Sequence, residues 1–362
     1  MSLPAAAADV WDNIANSQDP VVVYGMGNAA DRIADRLAEY GVEISDYFAS
    51  DGFVRGHFFR GKRVLSYAEI CEKYDNFTIV LAFASRLPDV IERILRYSKK
   101  HTLYAPDLPV CGDSLFDKNF YKKHYSEIVR VYHLLSDEES RKIYENVLHY
   151  KLSGDISYLV EAVSSPTDVW NNLLSPIEYR RTIDGGAYNG DTIRELLTNA
   201  PNLTEIIAAE PDPRTYKKLA AFAKVSSCAI ECYNVALWSE RARLPFSPKG
   251  NRGSAMTDAN SGPEGFIQAD TIDSLLDGRR ADYIKLDVEG AEQRALIGAA
   301  KTISAHFPDL LISLYHRSED IFALPLYLAD RHPGYKLYLR RFSYIPAWDL
   351  NLYAVKKGDR PL

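Results

Sequence analysis

The sequence predicts an α/β protein with two doubly wound units joined by a helical segment. Three observations support this fold class. In both halves of the chain, short apolar strands alternate with amphipathic helices, which is typical of parallel sheets with crossover helices. Residues 114–162 contain almost no glycine, and apolar side chains recur there at helical spacing. The length of 362 residues is ample for two domains.

The first unit is expected to contain strands at residues 21–24, 42–48 and 78–83, with helices at 29–40 and 88–97. Each predicted strand is short and apolar, and helices lie between the strands, as a parallel sheet with right-handed crossovers requires. The pattern therefore predicts a small Rossmann-like domain at the start of the chain.

A glycine-rich turn follows the first of these strands. Gly25, Gly27 and Ala30 fit the G-x-G-x-x-A variant of the dinucleotide fingerprint, and Asp51 lies about 20 residues further on, as that fingerprint expects. The turn and the segment RGKRVLSYAEI resemble the small Rossmann-like domains fused to bacterial sugar-modifying enzymes. Three roles stay open for this unit, namely binding of NAD(P), binding of a sugar nucleotide, and a scaffold role.

The second unit is expected to form a mostly parallel seven-stranded sheet with an antiparallel final strand. Five strands alternate with helices, and two closely spaced strands then end the chain. The predicted strands are residues 182–184, 205–209, 229–235, 282–287, 309–315, 335–340 and 350–355. The predicted domains are residues 1–113 for the first unit, 114–166 for two or three linking helices, and 167–362 for the second unit.

Composition and charge narrow the functional classes. The formal net charge of −6 argues against nucleic acid as the main partner, because phosphate binding needs a basic surface. No apolar run approaches the roughly 18 residues that span a bilayer, and the first fifteen residues lack the basic start and apolar core of a signal peptide. We expect a cytoplasmic protein in which Cys228 and Cys232 are structural thiols rather than zinc ligands. A homo-oligomer stays open.

The strongest motif is IDGGAYNGDT at residues 183–192, in which a strand ends in a glycine-rich turn and a helix begins. Gly185 and Gly186 permit a ligand to approach the backbone closely, because neither has a Cβ. The carboxylate of Asp184 suits a ligand that carries an ammonium group. Many α/β nucleotide-binding folds contain such a turn, so its meaning depends on the other strand ends of the sheet.

Three further polar residues follow strands of the same sheet. Glu210 comes 26 residues after Asp184, where an acidic side chain can accept both hydroxyls of a ribose. Asp287 ends the strand in YIKLDVEGAE, and His316 follows the next strand. The carboxyl ends of parallel strands meet at one edge, and open α/β sheets bind ligands there. Asp184, Glu210 and Asp287 are therefore expected around one pocket.

Taken in order, the segments IDGGAYNGDT, AAEPD, ADTIDSLL, YIKLDVEGAE, YHRSEDIFALPLYL and YKLYLRRF resemble the FkbM-type methyltransferases. The resemblance covers about residues 180–356, roughly half of the chain. It implies the class I methyltransferase fold and S-adenosylmethionine (SAM) as cofactor. It also implies O-methylation of an acceptor hydroxyl on a small molecule or saccharide, such as a sugar, a glycan or a related metabolite.

The resemblance also implies positions for the cofactor. Asp184, Gly185 and Gly186 would line its methionine end, Glu210 would hold the ribose, and Asp287 would lie at the junction of cofactor and acceptor. The other cofactor-binding positions are Ala187 and Tyr188 in the glycine turn, Pro211 beside Glu210, and Asn234 and Ala236 on the adenine side.

Methyl transfer to a hydroxyl needs a group that receives the hydroxyl proton, and Asp287 and His316 are the two candidates for this catalytic base. A divalent metal held by Asp287, Glu289 and His316 is an alternative activator, but no tight ligand cluster requires it and no metal is assigned. Two other functions stay open, an NAD(P)- or sugar-nucleotide-binding enzyme that uses the first unit and a non-catalytic cofactor-binding protein. Residues 247–264 are either a loop that closes over substrates or an ordinary exposed loop.

Overall fold

A computed structural model describes residues 2–247, 255–256 and 265–356 of the chain. The sequence predicts a loop at residues 247–264. Most of this segment, residues 248–254 and 257–264, lies outside the described residues, so the loop stays a prediction. Within the described ranges, no helix combines the length and the apolar character needed to cross a membrane.

The first part of the chain forms a six-stranded sheet with the strand order β3-β4-β2-β1-β5-β6. All pairs are parallel except the short β3–β4 pair. The four residues of β1 are buried, because α2 packs on one face of the strand and α4 on the other. The elements are α1 (Val10–Ala15), β1 (Val21–Tyr24), α2 (Asn28–Glu39), β2 (Ile44–Ala49), β3 (Phe58–Phe59), β4 (Lys62–Ser66), α3 (Tyr67–Lys73), β5 (Thr78–Leu81), α4 (Pro88–Ser98) and β6 (Leu103–Tyr104).

Four helices follow, where the sequence predicts two or three. They are α5 (Lys118–Lys123), α6 (Tyr125–Leu134), α7 (Glu138–Ser153) and α8 (Ser157–Val160). Gly154 ends α7 in the left-handed conformation, with φ of 70°. A short helix α9 (Pro166–Asp168) then leads into a single π-helical turn, Val169–Leu173. This turn packs against one face of the second large sheet.

The predicted seven-stranded sheet is confirmed, with the strand order β16-β17-β15-β14-β7-β8-β9. All pairs are parallel except those of β17, which is antiparallel to both β15 and β16. Its strands and their helices are β7 (Arg181–Gly185), α10 (Asp191–Asn199), β8 (Glu205–Ala209), α11 (Pro213–Ala223), β9 (Ala229–Tyr233), α12 (Ile272–Leu276), β14 (Tyr283–Leu286), α13 (Glu292–Gly298), α14 (Ala300–His306), β15 (Asp309–Ser313), α15 (Asp320–Arg331), β16 (Tyr335–Arg341) and β17 (Leu350–Lys356).

A small four-stranded sheet, not predicted from the sequence, lies between β9 and α12 along the chain. Its strand order is β10-β13-β11-β12, with a short parallel pair between β10 and β13. The strands are β10 (Ala236–Leu237), β11 (Ala242–Ser247), β12 (Ala255–Met256) and β13 (Gly265–Asp270). The sequence does not predict this sheet, because its strands are short and their apolar periodicity is weak.

The two large sheets pack together through the helices between them. One buried apolar cluster contains Val22 of the first sheet, Val147 of α7 and Ile284 of the second sheet. The backbones of Ser85 and Ile345 also exchange two hydrogen bonds, of 2.8 and 3.0 Å. The division at residues 113 and 166 stays a prediction, but the first part of the chain clearly contributes to the surroundings of the second sheet.

Candidate active site

A cavity of about 650 Å³ opens at the carboxyl ends of β7, β8, β14 and β15. This is the edge at which open α/β sheets bind ligands, and the volume is that of a typical ligand pocket. Six of the predicted site residues line the cavity, namely Gly186, Tyr188, Glu210, Pro211, Ala236 and Asp287. Five others lie behind the wall, namely Asp184, Gly185, Ala187, Asn234 and His316.

The glycine turn is held tightly between two strands. The amides of Gly186 and Ala187 both donate to the carbonyl of Ala209, at 3.0 and 3.1 Å. Gly186 has φ of +74°, and a Cβ built on it would lie 1.9 Å from the backbone oxygen of Asp287. Only glycine fits this position, because a side chain would meet backbone rather than a movable side chain. The turn therefore presents bare backbone to the cavity.

Asp184 was predicted to line the cavity, but its side chain points away from it. Its carboxylate is fully buried, with Oδ1 3.1 Å from Lys285 Nζ and Oδ2 accepting a 2.5 Å hydrogen bond from Thr192 Oγ1. The Lys285 ammonium also donates to the carbonyl of Gly186 at 2.9 Å. Burial opposes the charge on Lys285, but Asp184 and Asp287 outweigh it and raise the pKa of the ammonium. Asp184 thus neutralises a lysine that braces the turn, rather than contacting a ligand directly.

Glu210 reaches the cavity with most of its hydrogen-bonding capacity already used. Oε2 accepts from the amide of Tyr188 at 2.9 Å, and Oε1 accepts from the amide of Asp212 at 2.8 Å and from Thr215 Oγ1 at 3.1 Å. A carboxylate has about four acceptor positions, so about one remains for a ligand. Burial raises the pKa of Glu210 despite these donors.

Asn234, predicted on the adenine side, has a different place from the one expected. Its Nδ2 donates to the carbonyls of Glu210 and Pro211, at 2.8 and 2.9 Å. The side chain is therefore occupied in fixing the backbone that carries the acidic residue. Ala236, two positions later in the chain, does line the cavity.

Asp287 lies on the floor of the cavity with about 33% of its side chain exposed. Its Oδ1 accepts a 2.8 Å hydrogen bond from the hydroxyl of Tyr315. Burial opposes ionisation of this carboxyl group, but Lys285 and His316 outweigh that effect and lower the pKa of Asp287. The group is therefore a carboxylate at neutral pH, directed at whatever occupies the cavity.

His316 lies behind Asp287 and has no exposed surface. Its Nε2 is 3.4 Å from Asp287 Oδ1 and 3.6 Å from Glu289 Oε2, and its Nδ1 is 3.0 Å from Glu292 Oε1. Burial disfavours a charged imidazole, but these carboxylates together raise its pKa to about 10. The prediction that His316 is a candidate catalytic base is thus corrected by its position, since a ring without exposed surface does not reach the acceptor hydroxyl.

Aromatic side chains that the sequence patterns did not indicate form a wall of the cavity on the far side of Asp287. Trp170 of the π-helical turn donates from Nε1 to Glu195 at 2.8 Å, and Tyr315 stacks on Trp348 with 6.2 Å between ring centroids. The aromatic side chains lining the cavity are Trp170, Tyr188, Phe246, Tyr283, Tyr315, Phe342, Tyr344, Trp348 and Tyr353. Period-two alternation along β14 and β17 was the available signal for Tyr283 and Tyr353, whereas the loop residues had none.

The carboxyl edge of the first sheet is occupied by the chain itself. Pro346 and Trp348, which follow β16, pack against Ala29 of α2 and Phe83 after β5 around a cavity of about 60 Å³. Ligand pockets are usually several hundred Å³. The first part of the chain instead supplies Arg86 and Val110 to the large cavity, another contribution that sequence spacing did not indicate.

Comparison with known families decides the kind of site. Residues 184–345 match the family model of the methyltransferase FkbM domain. This segment is an FkbM methyltransferase domain. The chain is accordingly an SAM-dependent methyltransferase, with SAM as its cofactor. The resemblance found in the sequence is thereby confirmed, and the matched segment contains Gly185, Gly186, Glu210 and Asp287.

The whole chain is similar in fold to a solved methyltransferase structure. A methyltransferase FkbM from Methylobacillus flagellatus KT has 21% sequence identity and a TM-score of 0.69, over 98% of this chain and 94% of that chain. The two-part fold is therefore shared along almost the whole chain.

Two more distant structures show weaker similarity. An O-methyltransferase family protein from Burkholderia thailandensis has 12% identity and a TM-score of 0.32, over 67% of this chain and 72% of that chain. A fibrillarin from Aeropyrum pernix with natively bound SAM has 14% identity and a TM-score of 0.32, over 52% of this chain and 71% of that chain. A comparison with curated protein sequences gives no match.

Proposed function

We propose that this methyltransferase transfers the methyl group of SAM to a hydroxyl of an uncharged carbohydrate or related polyol, with Asp287 as the catalytic residue that receives the hydroxyl proton. One observation carries the proposal: an ionised carboxylate lies on the floor of a cavity that is also lined by aromatic side chains and further acidic residues.

The residues at the glycine turn fit SAM. Gly186 forms a cradle that a Cβ would fill, and the buried Glu210 keeps about one acceptor position for a ribose hydroxyl. We assign the methionine end to the bare backbone at Gly186 and Tyr188, the ribose to Glu210, and the adenine to the apolar side chains of Ala236 and Leu237. When bound, the cofactor supplies an electrophilic methyl group on a sulfonium ion.

The charge of the cavity favours an uncharged acceptor. Among the described lining residues, six carboxylates face only two cationic side chains, Arg86 and Lys285, and Lys285 is already paired with Asp184. Such a wall suits the positive charges of the cofactor and repels a phosphorylated or carboxylated acceptor. The carboxylates are Asp191, Glu195, Glu210, Asp287, Glu289 and Asp349.

The shape of the acceptor end suits a sugar ring. Aromatic faces such as those of Trp170, Tyr344 and Trp348 offer apolar contact to the C–H face of a ring. Carboxylates such as Asp349 and Glu195, at the same end, accept hydrogen bonds from hydroxyl groups. A polyol can use both of these surfaces at once, whereas a purely apolar acceptor would make no use of the remaining acceptor positions of the carboxylates.

The proton of the acceptor hydroxyl passes to Asp287. The acceptor oxygen forms its bond to the methyl carbon as the carbon–sulfur bond breaks, and the sulfur leaves as a neutral thioether. Because a protonated ether is a strong acid, a carboxylate with a lowered pKa is basic enough to take its proton. Alignment of the two reactants provides most of the acceleration, about 7–11 kcal/mol in favourable cases.

His316 and Tyr315 are positioning residues in this scheme. Tyr315 donates to Asp287 Oδ1, and the enclosed His316 lies 3.4 Å from the same oxygen. Both hold the carboxylate at one orientation and keep it ionised, so that its other oxygen can face the acceptor.

The test is a transfer assay with methyl-labelled SAM and matched acceptors. Neutral methyl hexosides are compared with the corresponding uronic acids, sugar phosphates and amino sugars. We expect labelled ether products from neutral hexosides, with kcat/KM at least 10-fold lower for the anionic counterparts. Transfer confined to anionic acceptors, or to the nitrogen of the amino sugars, would overturn the proposal. Asp287→Asn should lower kcat by about 10²–10⁴-fold, whereas the exposed Asp75→Asn should have wild-type activity.

We also propose a cytoplasmic location. The four cysteines are all free thiols, and Cys71 is exposed. Proteins of oxidising compartments usually use such thiols in disulfides. Fractionation of the native host cells, followed by immunodetection, tests the location, and recovery of the protein outside the cytoplasm would overturn it.

A further inference from the structure

Three buried polar atoms beneath the cavity have no aligned hydrogen-bond partner in the described part of the chain. They are Nδ1 and Nε2 of His316 and Oε2 of Glu292. Both side chains are enclosed, with exposures of 0 and 1%. Buried polar atoms almost always have partners, and an exception calls for an explanation such as a bound ion. The three atoms belong to neighbouring residues, so one explanation should serve all of them.

The same residues have the spacing of a cation site. One ligand atom from each of Asp287, Glu292 and His316 lies within 4.8 Å of the others. Glu289 Oε2 is 3.6 Å from His316 Nε2 and adds a further carboxylate at the edge of the group. Imidazole nitrogen combined with carboxylate oxygen is a ligand set used for divalent first-row metals.

We propose that Asp287, Glu292 and His316 bind a divalent first-row metal ion such as Mn²⁺ beneath the floor of the methyl-transfer cavity. The residues come from two neighbouring strand ends and one helix start, since Asp287 follows β14, Glu292 begins α13 and His316 follows β15. The parallel pairing of β14 with β15 brings the two strand ends together, and Glu292 Oε1 at the start of α13 lies 3.0 Å from His316 Nδ1.

A proton on His316 is the alternative way to supply positive charge here. A protonated ring has two N–H donors, which can serve Glu292 Oε1 and one of the carboxylates of Asp287 and Glu289. Oε1 of Glu292 already accepts from the amide of Val288 at 2.8 Å, and Oε2 would still lack a partner. A metal ion can engage Oε2 as well as a ring nitrogen, so it accounts for more of the buried atoms.

The position of the ion gives it a role that rests on the proposed function. Asp287 and Glu289 line the cavity, with side-chain exposures of 33 and 24%, so the ion would be reached from the acceptor side. A cation there binds an acceptor hydroxyl as a Lewis acid and lowers its pKa.

The experiment measures metal binding without any sugar. The full-length chain, freed of metal by chelation and dialysed, is titrated with Mn²⁺ in the absence of SAM, and the electron paramagnetic resonance signal of free Mn²⁺ is recorded. We expect one Mn²⁺ per chain, with affinity lowered at least 10-fold in Asp287→Asn and Glu292→Gln. The exposed Glu161→Gln is the matched control and should bind as the wild type does.

Circular dichroism confirms that each variant is folded. If Glu292→Gln unfolds, the test of metal binding depends on Asp287→Asn and Glu289→Gln, which change partly exposed residues. Absence of Mn²⁺ binding at millimolar concentration, or wild-type affinity in folded Asp287→Asn, overturns the proposal. Failure of the proposed methyl-transfer function and failure of the metal site give different results. Stoichiometric Mn²⁺ binding without methylation of any hexoside refutes the acceptor, whereas undiminished methylation after chelation, without Mn²⁺ binding, refutes the metal site.

Discussion

Lys285 Nζ lies 3.1 Å from Asp184 Oδ1, and the two residues are direct partners across the parallel pair of β14 and β7. Both side chains are buried, and the ammonium also donates to the carbonyl of Gly186. The centre of the sheet is thereby connected to the turn that faces the cofactor. Because this pair supports the turn, we expect the site to be sensitive to loss of the ion pair, although Asp184 itself does not face the cavity.

Lys285→Met should destabilise the protein strongly. The substitution leaves the Asp184 carboxylate buried without its counter-charge, and removal of one partner of a buried ion pair typically costs about 3–5 kcal/mol. Urea denaturation followed by circular dichroism measures the free energy of unfolding. Arg130→Met is the control, because it breaks the exposed Arg130–Asp330 pair and should cost about 1 kcal/mol or less. Equal losses in the two variants would show that Asp184 tolerates burial alone.

Gly186→Ala should weaken SAM binding, whereas Gly278→Ala should not affect it. Both glycines have left-handed backbones, with φ of +74° and +79°, so each substitution carries about 1–2 kcal/mol of strain. Only at Gly186 would the new Cβ meet backbone, 1.9 Å from the oxygen of Asp287, while nothing lies within 4 Å at Gly278. We expect at least a 10-fold increase in the Kd for SAM in Gly186→Ala by isothermal titration calorimetry. A wild-type Kd there would mean that the turn can shift freely.

Much of the fold followed from periodicity, because the strands of the seven-stranded sheet are buried and separated by clear helices. The site was predicted less completely. Their positions at strand ends predicted that Glu210 and Asp287 lie at the edge of the sheet where the cavity opens. The same pattern did not predict the direction of the neighbouring side chains. Asp184 and His316 face inward because Lys285 and Glu292 draw them there, and those partners are distant in sequence.

The acceptor wall escaped prediction for a different reason. Trp170, Tyr344 and Trp348 come from a π-helical turn and a loop, where no period marks the inward side. Arg86 belongs to the first part of the chain and reaches the cavity only through the packing of the two sheets. Such long-range placement depends on tertiary contacts that local sequence patterns do not encode.

The affinity for SAM should fall on acidification at a higher pH than an ordinary glutamate would cause. Burial raises the pKa of Glu210, so its protonated form persists to a higher pH than the usual 4.5. As the pH falls through this raised pKa, the carboxylate that accepts from the ribose is lost, and binding weakens. Above it, the carboxylate and the affinity are fully present.

Glu210→Gln isolates this effect. The amide keeps the shape of the side chain but removes the charge, so we expect about a 10- to 100-fold larger Kd at neutral pH, as for loss of a hydrogen bond to a charged group. The acid-dependent loss should disappear in the variant. Calorimetric titrations with SAM between pH 7 and pH 5 provide the comparison, with Glu161→Gln as a control that keeps the wild-type pH profile. Identical profiles in all three proteins would remove Glu210 from the binding site.

Tyr315→Phe should slow methyl transfer without weakening cofactor binding. The substitution removes the hydroxyl that donates to Asp287 Oδ1 at 2.8 Å, while the ring keeps its stacking on Trp348. A lost hydrogen bond to a charged group is worth about 1.5–3 kcal/mol, so kcat should fall by about 10- to 100-fold. The Kd for SAM should stay within about twofold, because Tyr315 lies on the acceptor side of Asp287. Tyr125→Phe, at an exposed position on α6, serves as the control for loss of a tyrosine hydroxyl. If Tyr315→Phe raised only the KM for the acceptor and left kcat unchanged, the hydroxyl would act in acceptor binding, and the orientation of Asp287 would have to depend on His316 alone.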